Sequence, residues 1–175
     1  MKKFIIILFS SCLLFGSCNE WLDILPKNEQ VTENYWQTKE DVEQILASAY
    51  HYMRETTDLL VYWGELRGGS MYSQYLVEGA KLQNFVLLPS SSYCTWAPFY
   101  QVISLANSVL DYADIAQQND DAYSVEAMRS HKTEAYFMRS LMYFYLVRNF
   151  KEVPLILNAY VDDSAPYKVA KSTEE

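Results

Sequence analysis

The strongest constraint in this sequence is the stretch 135–147, in which only Arg139 and Ser140 are polar. We interpret it as part of a helix that runs from about Ser124 to Arg148. A helix that is apolar on nearly every side has to be covered on every side. The other predicted helices are too few to supply that cover, so we expect part of it to come from sequence beyond these 175 residues. Arg139 would be an unpaired charge in this setting, at a cost of several kcal/mol, and we therefore predict a carboxylate partner for it.

Two further helices are predicted from apolar residues that recur at helical spacing. Residues 39–55 carry apolar side chains on one face, and Thr38 and Asp41 before them have the spacing of a capping box. Another helix is predicted to begin near Thr95, as its cap, with Pro98 tolerated in the first turn. The sequence therefore predicts a mostly α fold.

Asn107 is the polar exception on the apolar stripe of this second helix. The stripe consists of Trp96, Tyr100, Ile103, Asn107 and Leu110. Because buried amides are normally hydrogen-bonded inside a fold, we expect Asn107 to contact a neighbouring helix rather than a ligand.

The N-terminus has the pattern of an export signal. Lys2 and Lys3 precede an apolar run over residues 4–15, which is shorter than the roughly 20 residues that a membrane-spanning helix needs. Small residues then lead into Cys18, as in a bacterial lipobox. We predict that residues 1–17 are a lipoprotein signal peptide and that Cys18 is the lipid anchor. The alternative is an ordinary cleaved signal with Cys18 as an incidental thiol.

Composition and charge exclude two classes of protein. Half of the residues are apolar and 15% are aromatic, which is too many for a disordered chain. The formal charge of −8, from 14 basic and 22 acidic residues, argues against a nucleic-acid binder, which needs clustered Lys and Arg. We therefore expect a folded protein with no nucleic-acid partner.

No catalytic pattern is evident in the sequence. His51 and His131 stand alone without metal-ligand spacing, and Cys94 has no evident base near it. The chain has neither a Gly-rich phosphate loop nor a G-x-S-x-G turn. We expect a protein that is not an enzyme, with no catalytic residues, no metal and no cofactor, and we interpret both histidines as helix-surface or helix-contact residues.

The end of the chain suggests that a helix should begin there. Pro154 ends the long helix region, residues 155–157 look extended, and residues 172–175 have a helix-start pattern with no helix after it. We therefore expect these 175 residues to be the truncated opening portion of a larger domain.

Taken in order, these features resemble the N-terminal part of the SusD/RagB family of surface lipoproteins. Where that family usually has a Gly in the turn before Val-Pro-Leu, this chain has Lys151 and Glu152, which would be unfavourable if the turn requires a positive φ. The matching features are Cys18-Asn19-Glu20-Trp21-Leu22-Asp23 with Pro26, the segment from Thr32 through Trp36 to Asp41 and Tyr50, the helix pattern W-x-x-x-Y-x-x-I-x-x-x-N from Trp96 to Asn107, and EA-x-x-x-R…VPL from Glu134 to Leu155.

The resemblance implies a mostly α-helical SusD-like fold with helix pairs like those of tetratricopeptide repeats, one of them formed by residues 96–113 and 124–148. Residues 18–175 would be a truncated N-terminal SusD-like domain. The implied protein is anchored in the outer membrane by its lipid and exposed at the cell surface. It would capture an oligosaccharide or another nutrient and deliver it to a SusC-type TonB-dependent transporter.

The segment 57–93 is the best candidate for a ligand surface, because it lacks clear periodicity and carries aromatic residues among Gly and Ser. Its candidate ligand-binding residues are Trp63, Arg67, Tyr72 and Tyr75, since sugar rings stack on aromatic side chains. The alternative for each ring is that it packs against the helices. Two other functions also remain open: an exported helical module that binds a protein or peptide, and a truncated chain that binds nothing.

Overall fold

Helices make up most of this computed structural model, which describes residues 35–72, 74, 77–86, 88, 90–160 and 170–171. The predicted signal peptide with Cys18, the ligand candidate Tyr75 and the helix-start pattern at 172–175 lie outside the described residues. From Trp36 onward, the described residues belong to one compact unit. The mostly α fold predicted from the sequence is confirmed.

The helices are α1 (Lys39–Glu55), α2 (Thr57–Val61), α3 (Val77–Gln83), α4 (Ala97–Asn119) and α5 (Val125–Phe150). A short π-helical segment, Tyr62–Leu66, continues α2. The strands β1 (Val153–Pro154) and β2 (Ala170–Lys171) pair antiparallel, with Val153 opposite Lys171. Within the described part of the chain, no helix combines the length and apolarity needed to cross a membrane.

The helix starts follow local capping chemistry. At α1, the Thr38 hydroxyl accepts a hydrogen bond from the Asp41 amide at 3.3 Å, and the Asp41 carboxylate accepts one from the Thr38 amide at 2.8 Å, so the predicted capping box is confirmed. Ser124 caps α5 by accepting from the Ala127 amide at 3.2 Å. The cap predicted for α4 was wrong, because Trp96 rather than Thr95 occupies that position and makes no side-chain cap bond.

α4 is the central helix of the described unit, and it packs against both α1 and α5. Small residues at the buried positions let the helix backbones approach closely. The turn at residues 120–124 joins α4 to α5, and the two form the helix pair that the resemblance implies. The alanines with no exposed surface are Ala49 on α1, Ala106, Ala113 and Ala116 on α4, and Ala135 on α5.

Polar contacts fix α1 to this helix pair. The backbone amide of Lys39 donates to the Asp120 carboxylate at 3.0 Å, across 81 residues of chain. The fully buried Tyr123 places its hydroxyl 2.8 Å from His131 Nδ1. Burial raises the pKa of Tyr123 to about 12, so its hydroxyl stays protonated at neutral pH. The Lys39–Asp120 hydrogen bond joins the start of α1 to the turn between α4 and α5, and the Tyr123–His131 contact joins that turn to α5.

The apolar stretch on α5 is buried on one face and open on another. Met138, Met142 and Leu146 have no exposed surface, whereas the side chains of Phe137 and Phe144 are more than half exposed. The open face is consistent with our expectation that sequence outside these 175 residues covers α5, and that expectation stays a prediction.

Arg139 does not have the carboxylate partner predicted from the sequence. Its guanidinium donates to the Asn107 side-chain oxygen at 2.8 Å and to the Leu157 carbonyl at 3.1 Å, and it lies 5.2 Å from the centre of the Tyr136 ring. No described carboxylate lies within ion-pair distance of it. The prediction was wrong because Arg139 is only half-buried and finds neutral oxygens and an aromatic face instead.

The turn after α5 requires a positive φ, and Lys151 adopts it. The strain expected for a residue other than glycine is therefore present. Lys151 has φ 65° and ψ −77°, and the Glu152 amide donates back to the Phe150 carbonyl at 2.9 Å. This three-residue geometry is the rare and strained form of the γ-turn. Lys151 therefore occupies a position that a glycine would adopt more easily.

Replacing Lys151 with Gly should increase the free energy of unfolding by about 1 kcal/mol, because glycine adopts positive φ without a steric penalty. Urea denaturation followed by circular dichroism measures the change. Glu152→Gly is the matched control, since Glu152 has no positive φ, and it should be destabilising. Equal effects of the two substitutions would contradict the assignment of strain to Lys151.

Candidate functional site

The segment 57–93 is built around a small apolar cluster of its own. Leu66, Leu82 and Tyr93 are buried together, and Leu59 and Tyr62 pack against them. The sequence shows no periodicity in this segment. The structure nevertheless contains three short helical pieces there, α2, the π-helical segment and α3, and the π-helical segment packs against both of the others. This cluster supports the aromatic and charged residues at the surface.

Trp63 attaches this segment to the long helices. Its indole nitrogen donates to the Tyr93 carbonyl at 3.0 Å. Its ring stacks on Phe99 at a centroid distance of 5.1 Å and meets the edge of Phe150 at 5.5 Å. Trp63 therefore packs against the long helices, which is the alternative that the sequence left open for each candidate ring.

Arg67 lies beside a ring that sequence reasoning did not select, and Tyr72 is exposed five residues further along the chain. The Arg67 guanidinium lies 5.9 Å from the centre of the Phe85 ring. The Gln83 side chain donates to the Met71 carbonyl at 3.0 Å, which holds residues 67–72 next to the end of α3. Tyr72 is 81% exposed and Phe85 is 68% exposed. We call Arg67, Met71, Tyr72, Phe85 and Val86 the Phe85 face.

Phe85 has a backbone conformation that normally favours glycine. Its φ is 58°, its amide donates to the Leu82 carbonyl at 3.1 Å, and the Val86 amide donates to the Lys81 carbonyl at 2.8 Å. This pair of bonds is the Schellman cap, in which glycine is the usual residue at the left-handed position. A phenylalanine there costs on the order of 1 kcal/mol, and its ring is nevertheless mostly exposed.

No sequence pattern indicates that Phe85 is a surface residue. Residues 85–88 form a continuous apolar run, Phe-Val-Leu-Leu, in which no periodicity separates a buried side from an exposed one. The short helix α3 before it was also not predicted. The exposure of Phe85 therefore becomes visible only once the cap at the end of α3 is known.

A second polar cluster joins α4 and α5 to the segment after β1. Asn107, fully buried, donates to the Ile156 carbonyl at 3.0 Å and to the Asn158 carbonyl at 3.1 Å, while its oxygen accepts from Arg139. The expectation that Asn107 contacts a neighbouring helix is confirmed. We call Tyr100, Asn107, Arg139 and Tyr143 the α4–α5 polar cluster.

The two tyrosines of this cluster complete it. Tyr100 donates to the Pro154 carbonyl at 2.5 Å, and Tyr143 both donates to the Ile156 carbonyl at 3.0 Å and accepts from the Ile156 amide at 2.7 Å. Burial raises the pKa of Tyr100 well above its usual range, with a smaller contribution from Tyr143. Burial also raises the pKa of Tyr143. Both hydroxyls therefore stay protonated at neutral pH and donate to carbonyls of the chain after α5.

The two histidines lie in helix-surface and helix-contact positions, as the sequence predicts. His51 contacts Glu55 at 3.5 Å one turn along α1, and His131 faces Tyr123 and, at 3.8 Å, Glu43. Among the described residues, no three His, Cys, Asp or Glu side chains are grouped so that they could hold a metal ion. We take the Phe85 face as the candidate functional site because it combines two mostly exposed rings with an arginine.

Tyr100→Phe should lower the free energy of unfolding by about 1 kcal/mol at pH 8, because the hydrogen bond to Pro154 is lost. The stabilisation from a raised tyrosine pKa is present below about pH 10 and is lost as pH rises toward the folded-state pKa. The difference between parent and variant should therefore shrink above pH 10 in urea titrations at several pH values. Tyr72→Phe, which removes a hydroxyl from an exposed ring, should leave the curve unchanged. A constant difference up to pH 12 would contradict the assignment.

Comparison with known proteins gives a consistent result. A protein-family profile named SusD-like and described as "starch-binding associating with outer membrane" matches residues 20–174. A SusD-like protein of Bacteroides ovatus is 27% identical over 159 residues, which are 89% of this chain and 29% of that protein. A SusD-like protein of Formosa agariphila is 31% identical over 169 residues, which are 91% of this chain and 32% of that protein. The chain thus spans about a third of the length of these curated relatives, and no solved structure matches it.

Proposed function

We propose, since the chain belongs to the SusD-like family, that it is part of a cell-surface lipoprotein that captures an oligosaccharide or another nutrient. The captured molecule would pass to a SusC-type TonB-dependent transporter in the same outer membrane. The observation that carries this proposal is the match of residues 20–174 to a family described as starch-binding and associated with the outer membrane. Residues 18–175 would then be the N-terminal portion of a longer SusD-like domain.

The surface chemistry of the described residues supports binding rather than catalysis. Tyr72 and Phe85 present aromatic rings to solvent, and sugars offer C–H faces that stack on such rings. Arg67 adds hydrogen-bond donors beside the Phe85 ring. A rigid scaffold beneath exposed rings and fixed polar groups is the usual arrangement of a small-molecule binding surface.

A second candidate function is a helical module that binds a protein or peptide. The observation in its favour is the open face of α5, where Tyr136, Phe137 and Phe144 are all more than half exposed. Exposed apolar patches of this kind mark protein contact sites in many proteins. In a longer SusD-like domain, however, this face would be covered by the remaining sequence, so we favour the first function.

The purified chain should bind oligosaccharides and not peptides in isothermal titration calorimetry. The probes are maltohexaose, oligogalacturonate and a mixed library of unstructured peptides. Phe137→Ser with Phe144→Ser is the matched variant on the α5 face, and it should leave glycan binding unchanged. Binding of peptides alone, lost in that double variant, would favour the helical module. Binding of no probe would contradict the proposed glycan capture.

Membrane attachment is proposed to depend on Cys18, which lies outside the described residues. Cys18→Ser should abolish acylation and move the protein from the outer-membrane fraction to the soluble fraction, because the acyl chains would supply the attachment. Incorporation of radioactive palmitate and cell fractionation measure the two effects. Cys12→Ser is the matched control and should change neither. Membrane association that survives Cys18→Ser would contradict the lipid anchor.

A further inference from the structure

We propose that Phe85 and Arg67 form a subsite for a sugar ring that carries an anionic group, either a uronate carboxylate or a sulfate ester. This inference rests on the proposed glycan-binding function and specifies the chemical class of the ligand. The Phe85 ring would stack on the C–H face of the sugar. The Arg67 guanidinium would bind the anionic group at the edge of the ring.

The backbone of Phe85 is the first observation behind this proposal. Its φ of 58° lies in the left-handed region, at the cap position after α3 that glycine usually occupies. Strained residues of this kind cluster at ligand sites, where the conformation has a use beyond stability. Since Phe85 is 68% exposed, packing in the described residues does not explain why a large ring occupies this position.

The setting of Arg67 is the second observation. Its guanidinium lies over the Phe85 ring, and no described carboxylate is within ion-pair distance of it. Glu65, two residues earlier, has its carboxylate hydrogen-bonded to the Ser70 hydroxyl instead. The whole chain carries 22 acidic and only 14 basic residues, so a half-buried arginine with no carboxylate partner among the described residues is an unusual feature of this surface.

The shape and charge of the pair fit an acidic sugar better than a neutral one. A guanidinium binds carboxylates and sulfate-like oxyanions through parallel hydrogen bonds, which neutral hydroxyls cannot match in strength. Contact with the Phe85 ring restricts the orientation of the guanidinium before the ligand arrives, which lowers the entropy cost of binding. Stacking would then provide affinity for any sugar ring, and Arg67 would provide the preference for an anionic one.

Calorimetry of the purified chain with three hexasaccharide probes tests this assignment. Oligogalacturonate supplies carboxylates, a κ-carrageenan hexasaccharide supplies sulfate esters, and maltohexaose is neutral. We expect at least one anionic probe to bind tenfold or more tightly than maltohexaose, and the tighter of the two identifies the anionic group. Arg67→Gln should remove this preference and leave the affinity for maltohexaose unchanged, whereas Arg54→Gln, the same charge change on α1, should have no effect.

Phe85→Gly separates a binding role from a structural one. It should weaken binding of every probe that the parent binds, by fivefold or more, while the melting midpoint stays the same or rises because glycine suits the positive φ. A lower midpoint, or unchanged affinity, overturns the role of Phe85. Equal affinity of the parent for neutral and anionic probes overturns the role of Arg67. Either result leaves the proposed function intact, whereas a parent chain that binds none of the three probes contradicts both.

Discussion

The hydrogen bonds of Asn107 and Arg139 are the interaction on which the rest of the described fold depends. They bind the carbonyls of the segment after β1, at Ile156, Leu157 and Asn158, which has no regular secondary structure of its own. A hydrogen bond of this kind typically contributes on the order of 1 kcal/mol to stability, and somewhat more where the donor is charged, as in Arg139. Two side chains on different helices thus stabilise three carbonyls and connect α4, α5 and the following chain in one cluster.

This arrangement explains why polar residues are tolerated in the most apolar part of the chain. Asn107 is fully buried and uses both its donors and its oxygen, so it leaves no unsatisfied group. Tyr100 and Tyr143 extend the same cluster to Pro154 and Ile156. Because a half-satisfied polar cluster would be worse than an apolar one, its members depend on one another. The cluster therefore favours one position for residues 154–158. Packing of apolar side chains alone would define that position less sharply.

The sequence predicts a structural feature well when the interaction that determines it joins residues close together in the chain, and poorly when it joins distant ones. The capping box and the bounds of α1 follow from residues close in sequence, and both predictions are confirmed. The partner of Arg139 was predicted wrongly, because its partners are one backbone carbonyl 18 residues away and the side-chain amide of Asn107 on another helix, and a backbone carbonyl has no signature in a sequence. Phe85 was missed for a related reason, since its exposure depends on a cap geometry that an apolar run does not reveal.

The residues that carry the family resemblance and those of the candidate site belong to different parts of the molecule. Tyr100, Asn107 and Arg139 hold the helix pair and its following chain together, whereas Arg67, Tyr72 and Phe85 lie on the segment before α4. The profile match spans residues 20–174 and so covers both parts of the molecule. In the α4–α5 polar cluster, the side chains of Tyr100, Asn107 and Arg139 hold carbonyls of the chain after α5, so a change at any of them disturbs the packing of the long helices. The Phe85 face leaves Tyr72 and Phe85 mostly exposed, and substitutions of exposed side chains usually change stability little, so this face can change while the long helices keep their packing.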